Sequence, residues 1–212
     1  LLQIHGLRMM FSEIPTTPNV IYVGAMNKRN NIEFIANLAA RVLESESEIK
    51  FTFIGAGPLS EYLVNYLTDR GFGNRFTYCG FIEDEQEVFR HLQNSTIALA
   101  PYRHDDDSFT RFADPQKLKW YAAAGVPIMM SPEPPNSREL EKSGSSLVLS
   151  AETNEDVHIW SSNLLELVRD GRRLEQMRKS ARKWAGASRR SEQYERVLEE
   201  IQFIWHQKHK GK

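Results

Sequence analysis

Short apolar runs alternate with amphipathic stretches along most of the chain. The run NVIYVG, from Asn19 to Gly24, is continuously apolar and ends in glycine, as is typical of a strand that is buried on both faces. The stretch that follows, Asn31 to Leu43, carries its apolar residues at helical spacing. Five further apolar runs are predicted to be strands: Ile49–Gly55, Arg75–Phe81, Thr96–Tyr102, Val126–Ser131 and Ser145–Ser150. Helices are predicted between them over Pro58–Arg70, Asp84–Gln93 and Pro115–Ala124. This alternation predicts an α/β fold with a Rossmann-like, doubly wound, mostly parallel sheet of about six strands.

The pattern changes near the carboxyl end of the chain. After Thr153 it predicts three helices without intervening strands, over Asp156–Arg169, Arg172–Ala185 and Glu192–His206. We expect a domain over residues 19–186, a C-terminal helix and tail over 187–212, and an interdomain linker or the end of a preceding domain over 1–18. Residues 103–112 are expected to form a loop, and the proline-rich stretch 132–135 a turn. The chain begins with Leu1 rather than Met, which indicates a piece of a longer protein.

The composition is that of an ordinary globular protein. Hydrophobic residues make up 41% of the 212 residues, charged residues make up 26%, and the net charge is −1, which does not favour a nucleic-acid partner. The basic run from Arg169 to Arg196 is read as a solvated helix face in preference to a docking patch for anionic lipid or nucleic acid. Cys79 is the only cysteine, which fits a reducing compartment and predicts a cytoplasmic location. No apolar run approaches the roughly 20 residues that a membrane span needs.

Glycines follow three of the first four predicted strands, at the edge where open α/β sheets bind ligands. Gly24 and Gly57 would let a ligand approach the backbone, although tight strand-to-helix turns alone also explain such glycines. The Gly55-Ala56-Gly57 segment lacks the third glycine of a dinucleotide fingerprint, and the chain contains no phosphate loop ending in Gly-Lys-Ser or Gly-Lys-Thr. Dinucleotide-dependent enzymes and Walker-type ATPases are therefore disfavoured.

Lys117 lies in the first turn of a predicted helix that follows an irregular polar loop. A cation at this end of a helix is unfavourable against the helix dipole. An anion held between the helix amides and the lysine would remove that conflict, so the position predicts a diphosphate site. A solvated surface lysine is the other interpretation.

The stretch around this lysine, PQKLKWYAAAGVP from Pro115 to Pro127, resembles the donor-site motif of glycosyltransferases with the two-domain GT-B fold. Four earlier segments, YVGAMNKRNNIEFI, FTFIGAGP, RFTYCGFI and NSTIALAPY, resemble in order the first four strand ends of that family's C-terminal domain. The resemblance covers roughly Gly6 to Ala185. It is strongest to bacterial glucuronosyltransferases that build exopolysaccharide, followed by the family-four retaining enzymes.

The resemblance implies a set of donor-binding residues. Lys117 would contact the donor diphosphate and stabilise it as it leaves, with Gln116 beside it on the base or phosphate. Met26, Phe81 and Ile82 would line the nucleobase and ribose pocket, and Tyr102 would face the diphosphate or the sugar. Trp120 and Tyr121 complete the set within the motif, and Gly24 and Gly57 would allow close approach.

Three positions depart from the family-four pattern. Trp120 stands where that pattern has a ribose-binding glutamate, and an indole cannot accept a hydrogen bond. Ala25 stands where an arginine is usual, and Lys28 or Arg29 in the next turn is the candidate replacement. The paired-glutamate motif is missing, and Asp105, Asp106 and Asp107 lie in the corresponding loop, where we favour solvated side chains over a metal site. His104 in the same loop is expected to face the acceptor side.

These observations predict the donor-binding half of a glycosyltransferase that takes its sugar from a nucleotide diphosphate, with UDP preferred over GDP and no cofactor. An N-terminal acceptor-binding domain is the expected partner, and the resemblance leaves open a peripheral contact with the inner face of the plasma membrane. The fragment alone is expected to bind donor weakly without turnover. A degenerate GT-B domain acting as a scaffold subunit is the principal alternative, and a nucleotide-sugar epimerase is a third.

Overall fold

The computed structural model describes residues 14–104 and 112–187, and these residues form an α/β domain. Six strands are present: β1 (Asn19–Val23), β2 (Lys50–Ile54), β3 (Phe76–Gly80), β4 (Ile97–Ala100), β5 (Ile128–Met130) and β6 (Ser146–Val148). Seven helices accompany them: α1 (Ile32–Ser45), α2 (Ser60–Thr68), α3 (Glu85–Gln93), α4 (Gln116–Ala124), α5 (Ser137–Lys142), α6 (Asn154–Arg169) and α7 (Gly171–Ala187).

The strands form one parallel sheet in the order β3-β2-β1-β4-β5-β6. The chain therefore builds outward from β1 in one direction and then returns to build outward from β4 in the other. The switch point between β1 and β4 opens a crevice beyond their carboxyl ends, which is where ligands bind in sheets of this kind. The predicted Rossmann-like sheet of six strands is confirmed, and its pairings are all parallel.

Two hydrophobic clusters cover the two faces of the sheet. One contains Val20, Tyr22 and the apolar faces of α1 and α6, including the fully buried Trp160. The other contains Ile21 and Val23 with the apolar faces of α3 and α4. Successive residues of β1 thus point into opposite clusters, which explains why its sequence is apolar at every position.

Local signals in the sequence account for several helix ends. Asp84, the first residue of the helix predicted over Asp84–Gln93, caps α3 by accepting a hydrogen bond from the Gln86 amide at 2.9 Å. Helix α6 begins two residues before the predicted Asp156, because Thr153 and Asp156 form a reciprocal capping box. Helix α4 ends at Gly125, whose φ of 72° lies in the left-handed region.

Two features differ from the sequence predictions. The segment between β5 and β6, where only a turn over 132–135 was predicted, also contains the short helix α5, whose Leu140 is buried. Within the basic run, Arg178 is not on a solvated face: it is 1% exposed and donates from Nη1 to the Ser95 carbonyl at 3.1 Å. Helix α7 packs against α4 and α6, and this guanidinium joins it to the loop just before β4. The predicted helix Glu192–His206 and the proposed domain limits near residues 1–18 and 187–212 lie mostly outside the described residues.

Candidate functional site

Lys117 reaches the crevice at the switch point from the first turn of α4. The helix begins after Pro115, has no side-chain cap, and carries no acidic residue in its first turn. Its ammonium donates a hydrogen bond to Asn30 Oδ1 at 2.9 Å. The same nitrogen lies 4.7 Å from the centroid of the Tyr22 ring and 4.4 Å from that of Tyr102. One amide oxygen and two aromatic rings therefore surround the charge.

Burial of the ammonium lowers the pKa of Lys117 from 10.5 to about 7. The rings of Tyr22 and Tyr102 offer cation–π attraction, but they replace much of the water that a lysine normally holds. Burial also raises the pKa of both tyrosines, so they stay neutral and supply no counter-charge. No carboxylate in residues 14–104 or 112–187 forms an ion pair with Lys117. The site is thus a desolvated cation without an anionic partner from the described protein.

The loop between β1 and α1 is fixed by its own polar groups. Tyr22 donates its hydroxyl to the Ala25 carbonyl, and Asn30 donates Nδ2 to the same oxygen, both at 2.9 Å. The Asn30 amide donates to Asn27 Oδ1 at 3.0 Å. These bonds orient Asn30 so that its Oδ1 faces the Lys117 ammonium. Asn30 and Tyr22 are not predicted from the sequence, because the apolar run conceals Tyr22 and nothing in the loop distinguishes Asn30.

Gly24 and Gly57 are required by close packing. Gly24 has a φ of 146°, and a Cβ added there would lie 3.3 Å from the Lys117 Nζ and 3.1 Å from the Tyr22 hydroxyl. At Gly57 an added Cβ would lie 2.5 Å from the Met26 carbonyl oxygen, because the loops after β1 and β2 pass against each other. The Leu59 amide donates to that carbonyl at 2.9 Å and the Met26 amide donates to Ala56 at 3.0 Å. Gly24 therefore makes room beside the cation, and Gly57 joins the two loops.

Two of the predicted donor-binding side chains are packed inside the protein. Met26 is fully buried in the cluster on the α1 face. Tyr121 is also fully buried, and its hydroxyl accepts from the Val23 amide at 2.8 Å and lies 3.2 Å from the Val23 carbonyl and 3.3 Å from the Leu99 carbonyl. Tyr121 thereby bridges β1 and β4 at the point where the crevice opens. A contact between either side chain and a donor stays a prediction.

The remaining predicted side chains are partly or largely exposed. Phe81 follows Gly80 at the end of β3 and is 76% exposed, while Ile82, Gln116 and Trp120 are half-buried. Within the described residues, the indole Nε1 of Trp120 and the hydroxyl of Tyr102 are buried without a hydrogen-bond partner. A glutamate at position 120 would offer hydrogen-bond acceptors, whereas the Trp120 indole offers only a donor.

The polar loop after β4 is described only at its ends. Asp105, Asp106 and Asp107 lie outside the described residues, and in the described part of the chain no group of three or more His, Cys, Asp or Glu residues could hold a metal ion. His104 places Nδ1 2.6 Å from Glu133 Oε1, which links the loop after β4 to the loop after β5.

The sequence matches a known protein family. The family described as "Glycosyl transferases group 1" matches residues 17–170, which is more than half of the sequence and includes every residue of the Lys117 site. The chain belongs to the group 1 glycosyltransferases. No curated protein matches the sequence.

Solved glycosyltransferases share the fold of this group 1 domain. The pneumococcal O-GlcNAc transferase GtfA, in complex with UDP and GlcNAc, superposes with a TM-score of 0.73 at 14% identity, over 92% of this chain and 39% of that one. The C-terminal domain of LpcC, a group 1 protein from Francisella tularensis, superposes with a TM-score of 0.68 at 12% identity, over 82% of this chain and 87% of that one. Anabaena HepE in complex with UDP superposes with a TM-score of 0.64 at 11% identity, over 80% of this chain and 44% of that one.

These coverages show the extent of the group 1 chain relative to its neighbours. It spans less than half of GtfA and HepE but most of the isolated LpcC domain. The fold is that of the C-terminal half of a GT-B glycosyltransferase, as the resemblance implied. Within the described residues, no helix has both the length and the apolar character needed to cross a membrane.

Proposed function

We propose that this chain is the donor-binding domain of a glycosyltransferase. The enzyme transfers a sugar from a nucleotide diphosphate carrier to an acceptor hydroxyl in polysaccharide or glycoconjugate synthesis, and UDP is the preferred carrier. One observation carries the proposal. The Lys117 ammonium is desolvated at the sheet's switch point, with Asn30, Tyr22 and Tyr102 around it and no described carboxylate paired to it. A diphosphate would bring negative charge to this ammonium.

The proposed role of Lys117 follows from the charge that sugar transfer produces. The bond between the anomeric carbon and the diphosphate oxygen breaks, and negative charge grows on the leaving oxygen. A fixed cation in a site of low polarity stabilises that charge more than it stabilises the bound ground state. The uncapped amino end of α4 adds partial positive charge in the same place. Because two rings and one amide already hold the ammonium, little reorganisation is needed during transfer.

The nucleoside is proposed to lie toward β3. The exposed ring of Phe81 offers a stacking surface, and the backbone at Ile82 can read a base edge. GtfA and HepE were solved with UDP, which supports UDP over GDP as the carrier here. Trp120 can only donate to a ribose oxygen, so the ribose is held differently from a site with glutamate. No metal or organic cofactor is part of the proposal.

A second domain is part of the proposed enzyme. The chain spans 39% of GtfA and 44% of HepE, so the acceptor-binding surface and any acceptor-activating base would come from outside it. We therefore propose that this chain binds donor weakly and does not turn over alone. A hexosyl or glucuronosyl group as the transferred sugar, and a cytoplasmic or peripheral inner-membrane location, are proposed on the sequence resemblance.

Calorimetric titration with UDP and GDP tests the proposal, using the chain, Lys117→Ala and Lys119→Ala. Lys119 is the matched control because it lies on the same helix and pairs with Asp114 at the surface. We expect one nucleotide to bind saturably, with about tenfold or greater weakening in Lys117→Ala and no change in Lys119→Ala. Equal binding by the chain and Lys117→Ala would contradict the assigned site. No binding of either nucleotide at millimolar concentration would favour the degenerate scaffold domain, for which Trp120 in place of a ribose-binding acid is the supporting observation.

A further inference from the structure

The surroundings of the Lys117 amine suit a nucleophile. Its nitrogen donates to Asn30 Oδ1 at 2.9 Å and lies 4.7 Å and 4.4 Å from the ring centroids of Tyr22 and Tyr102. Neither the amide nor the rings carry a negative charge that would hold the proton on the nitrogen. Burial lowers the pKa of Lys117 to about 7, so much of the amine is neutral near physiological pH. A desolvated, neutral lysine is the form of this side chain that attacks electrophiles.

The same place offers groups that a phosphate can use. Helix α4 starts after Pro115 without a side-chain cap and without an acidic residue in its first turn, and such helix starts attract anions. Independently, Tyr102 is 4% exposed and its hydroxyl has no hydrogen-bond partner among the described residues, so a ligand oxygen would satisfy it. Lys117 itself is only half-buried, and the missing Cβ of Gly24 leaves space beside its nitrogen. A small anionic reagent can therefore reach the amine.

We propose that Lys117 is a site of acylation by small acyl phosphates, which combine a phosphate group with an electrophilic carbonyl carbon. The phosphate would lie at the start of α4 and the carbonyl carbon beside the amine. The neutral nitrogen attacks this carbon and forms a C–N bond, while the C–O bond to the phosphate breaks and its electron pair goes to the phosphate oxygen. The proton lost by the nitrogen goes to the phosphate, which leaves as hydrogen phosphate. The product is an acyl-lysine, and no further reagent is needed.

The acylated side chain would satisfy its surroundings but would not attract a diphosphate. Its amide N–H can still donate to Asn30, and its new carbonyl oxygen is an acceptor, which the Tyr102 hydroxyl lacks among the described residues. The positive charge that would pair with a diphosphate is removed. Acylation would therefore block donor binding, a consequence that rests on the proposed function.

Peptide mass spectrometry of the acetylated chain tests the proposal. The chain is treated near neutral pH with acetyl phosphate, or with acetic anhydride, which has no phosphate group, and the acetylation rates of Lys117 and Lys119 are compared. Lys119 is the matched control because it lies on the same helix and pairs with Asp114. The reactions are repeated with inorganic phosphate and on Asn30→Asp, whose carboxylate would hold the amine in its charged form. Unfolding temperatures verify that the variant is folded.

We expect Lys117 to react with acetyl phosphate at least about tenfold faster than Lys119, because only a neutral amine attacks. This preference should shrink with acetic anhydride and when inorganic phosphate competes for the anion position. Asn30→Asp should slow the reaction at Lys117 about tenfold with either reagent and leave Lys119 unchanged. The proposal is overturned if acetyl phosphate modifies Lys117 no faster than Lys119, or if both reagents show the same preference.

Two measurements with UDP separate this proposal from the proposed function. UDP should protect Lys117 but not Lys119 from acetylation, and a chain acetylated at Lys117 should bind UDP about tenfold more weakly or worse by calorimetry. If Lys117 is acetylated selectively but UDP neither protects it nor loses affinity, the acylation site stands and the assigned donor site is refuted. If UDP protects Lys117 from acetic anhydride while acetyl phosphate shows no preference, the donor site stands and the acyl phosphate proposal is refuted.

Discussion

The ammonium of Lys117 and the side-chain oxygen of Asn30 lie 2.9 Å apart, and this contact joins the first turn of α4 to the loop between β1 and α1. The two residues are 87 positions apart in the sequence. This contact holds Lys117, the cation that the motif predicts to bind the donor, beside Gly24 at the end of the central strand β1. A neutral amide orients the ammonium without neutralising it, which leaves its charge for a ligand.

Replacing Lys117 with methionine separates binding from folding. We expect Lys117→Met to weaken UDP binding about tenfold or more, because the charged hydrogen bonds to the diphosphate are lost. The unfolding temperature should be unchanged or higher, since a desolvated ammonium that has no counter-charge among the described residues is replaced by an apolar chain of similar length. Calorimetry and thermal denaturation measure both effects. Lys119→Met should leave UDP affinity unchanged, and a drop in stability in Lys117→Met would show that the ammonium is satisfied within the protein.

The affinity for UDP should fall as the pH rises above 7. Burial lowers the pKa of Lys117 to about 7 in the free chain, and a bound diphosphate would raise it. Between the two pKa values, binding requires uptake of a proton, so affinity falls by up to about tenfold per pH unit. The terminal phosphate, with a pKa near 6, is already ionised in this range and contributes little to the slope. Titrations between pH 7 and 9 measure the slope, which should be absent in Lys117→Met; the same slope in both proteins would contradict the assignment.

The hydroxyl of Tyr121 should stabilise the fold, and the hydroxyl of Tyr102 should not. Tyr121 accepts from the Val23 amide in the interior, so Tyr121→Phe leaves a buried donor without a partner and should cost about 1–3 kcal/mol in the free energy of unfolding. Tyr102 is equally buried, but its hydroxyl has no partner among the described residues. Tyr102→Phe is therefore expected to leave stability unchanged or slightly higher. Denaturant unfolding compares the matched pair, and equal losses would contradict this division.

Gly57 should be required by packing, whether or not a ligand is present. In Gly57→Ala the new methyl group would lie 2.5 Å from the Met26 carbonyl oxygen, and we expect a loss of about 1–3 kcal/mol in the free energy of unfolding. At Gly73 no atom lies within 4 Å of an added Cβ, so Gly73→Ala should be neutral or stabilising. Denaturant unfolding of the ligand-free chain measures both, and a stable Gly57→Ala that fails only in UDP binding would restore the ligand-approach interpretation.

The fold was predictable because its main signals are local. Each strand is a short apolar run ending near a turn, and β1 alternates its side chains between two buried faces, so its sequence is unmistakable. Helix α5 was not predicted, since its six residues follow three prolines and bury only Ser137 and Leu140. Arg178 was predicted to be solvated because a charged residue in a basic run carries no sign of burial. Only the packing of α7 against α4 and α6 brings it to the Ser95 carbonyl.

The site was predictable only in part. The position of Lys117 at a helix start indicates an anion from physical reasoning alone, and in the structure its ammonium lies between Asn30, after β1, and Tyr102, after β4. Tyr22 and Asn30 could not be identified, because their role depends on contacts across 95 and 87 residues of sequence. Met26 and Tyr121 were predicted from segments that resemble the family, and sequence cannot tell whether a residue in such a segment faces a ligand or supports the strands beneath it.

The pKa of Lys117, measured with and without UDP, tests the central claim most directly. Nitrogen-15 NMR of the lysine side chains gives it, with the Lys117 signal assigned by its absence in Lys117→Met. The account predicts a pKa of about 7 in the free chain, rising by at least about one unit when UDP saturates the site. A pKa that UDP binding leaves unchanged would contradict the claim that Lys117 holds the donor diphosphate.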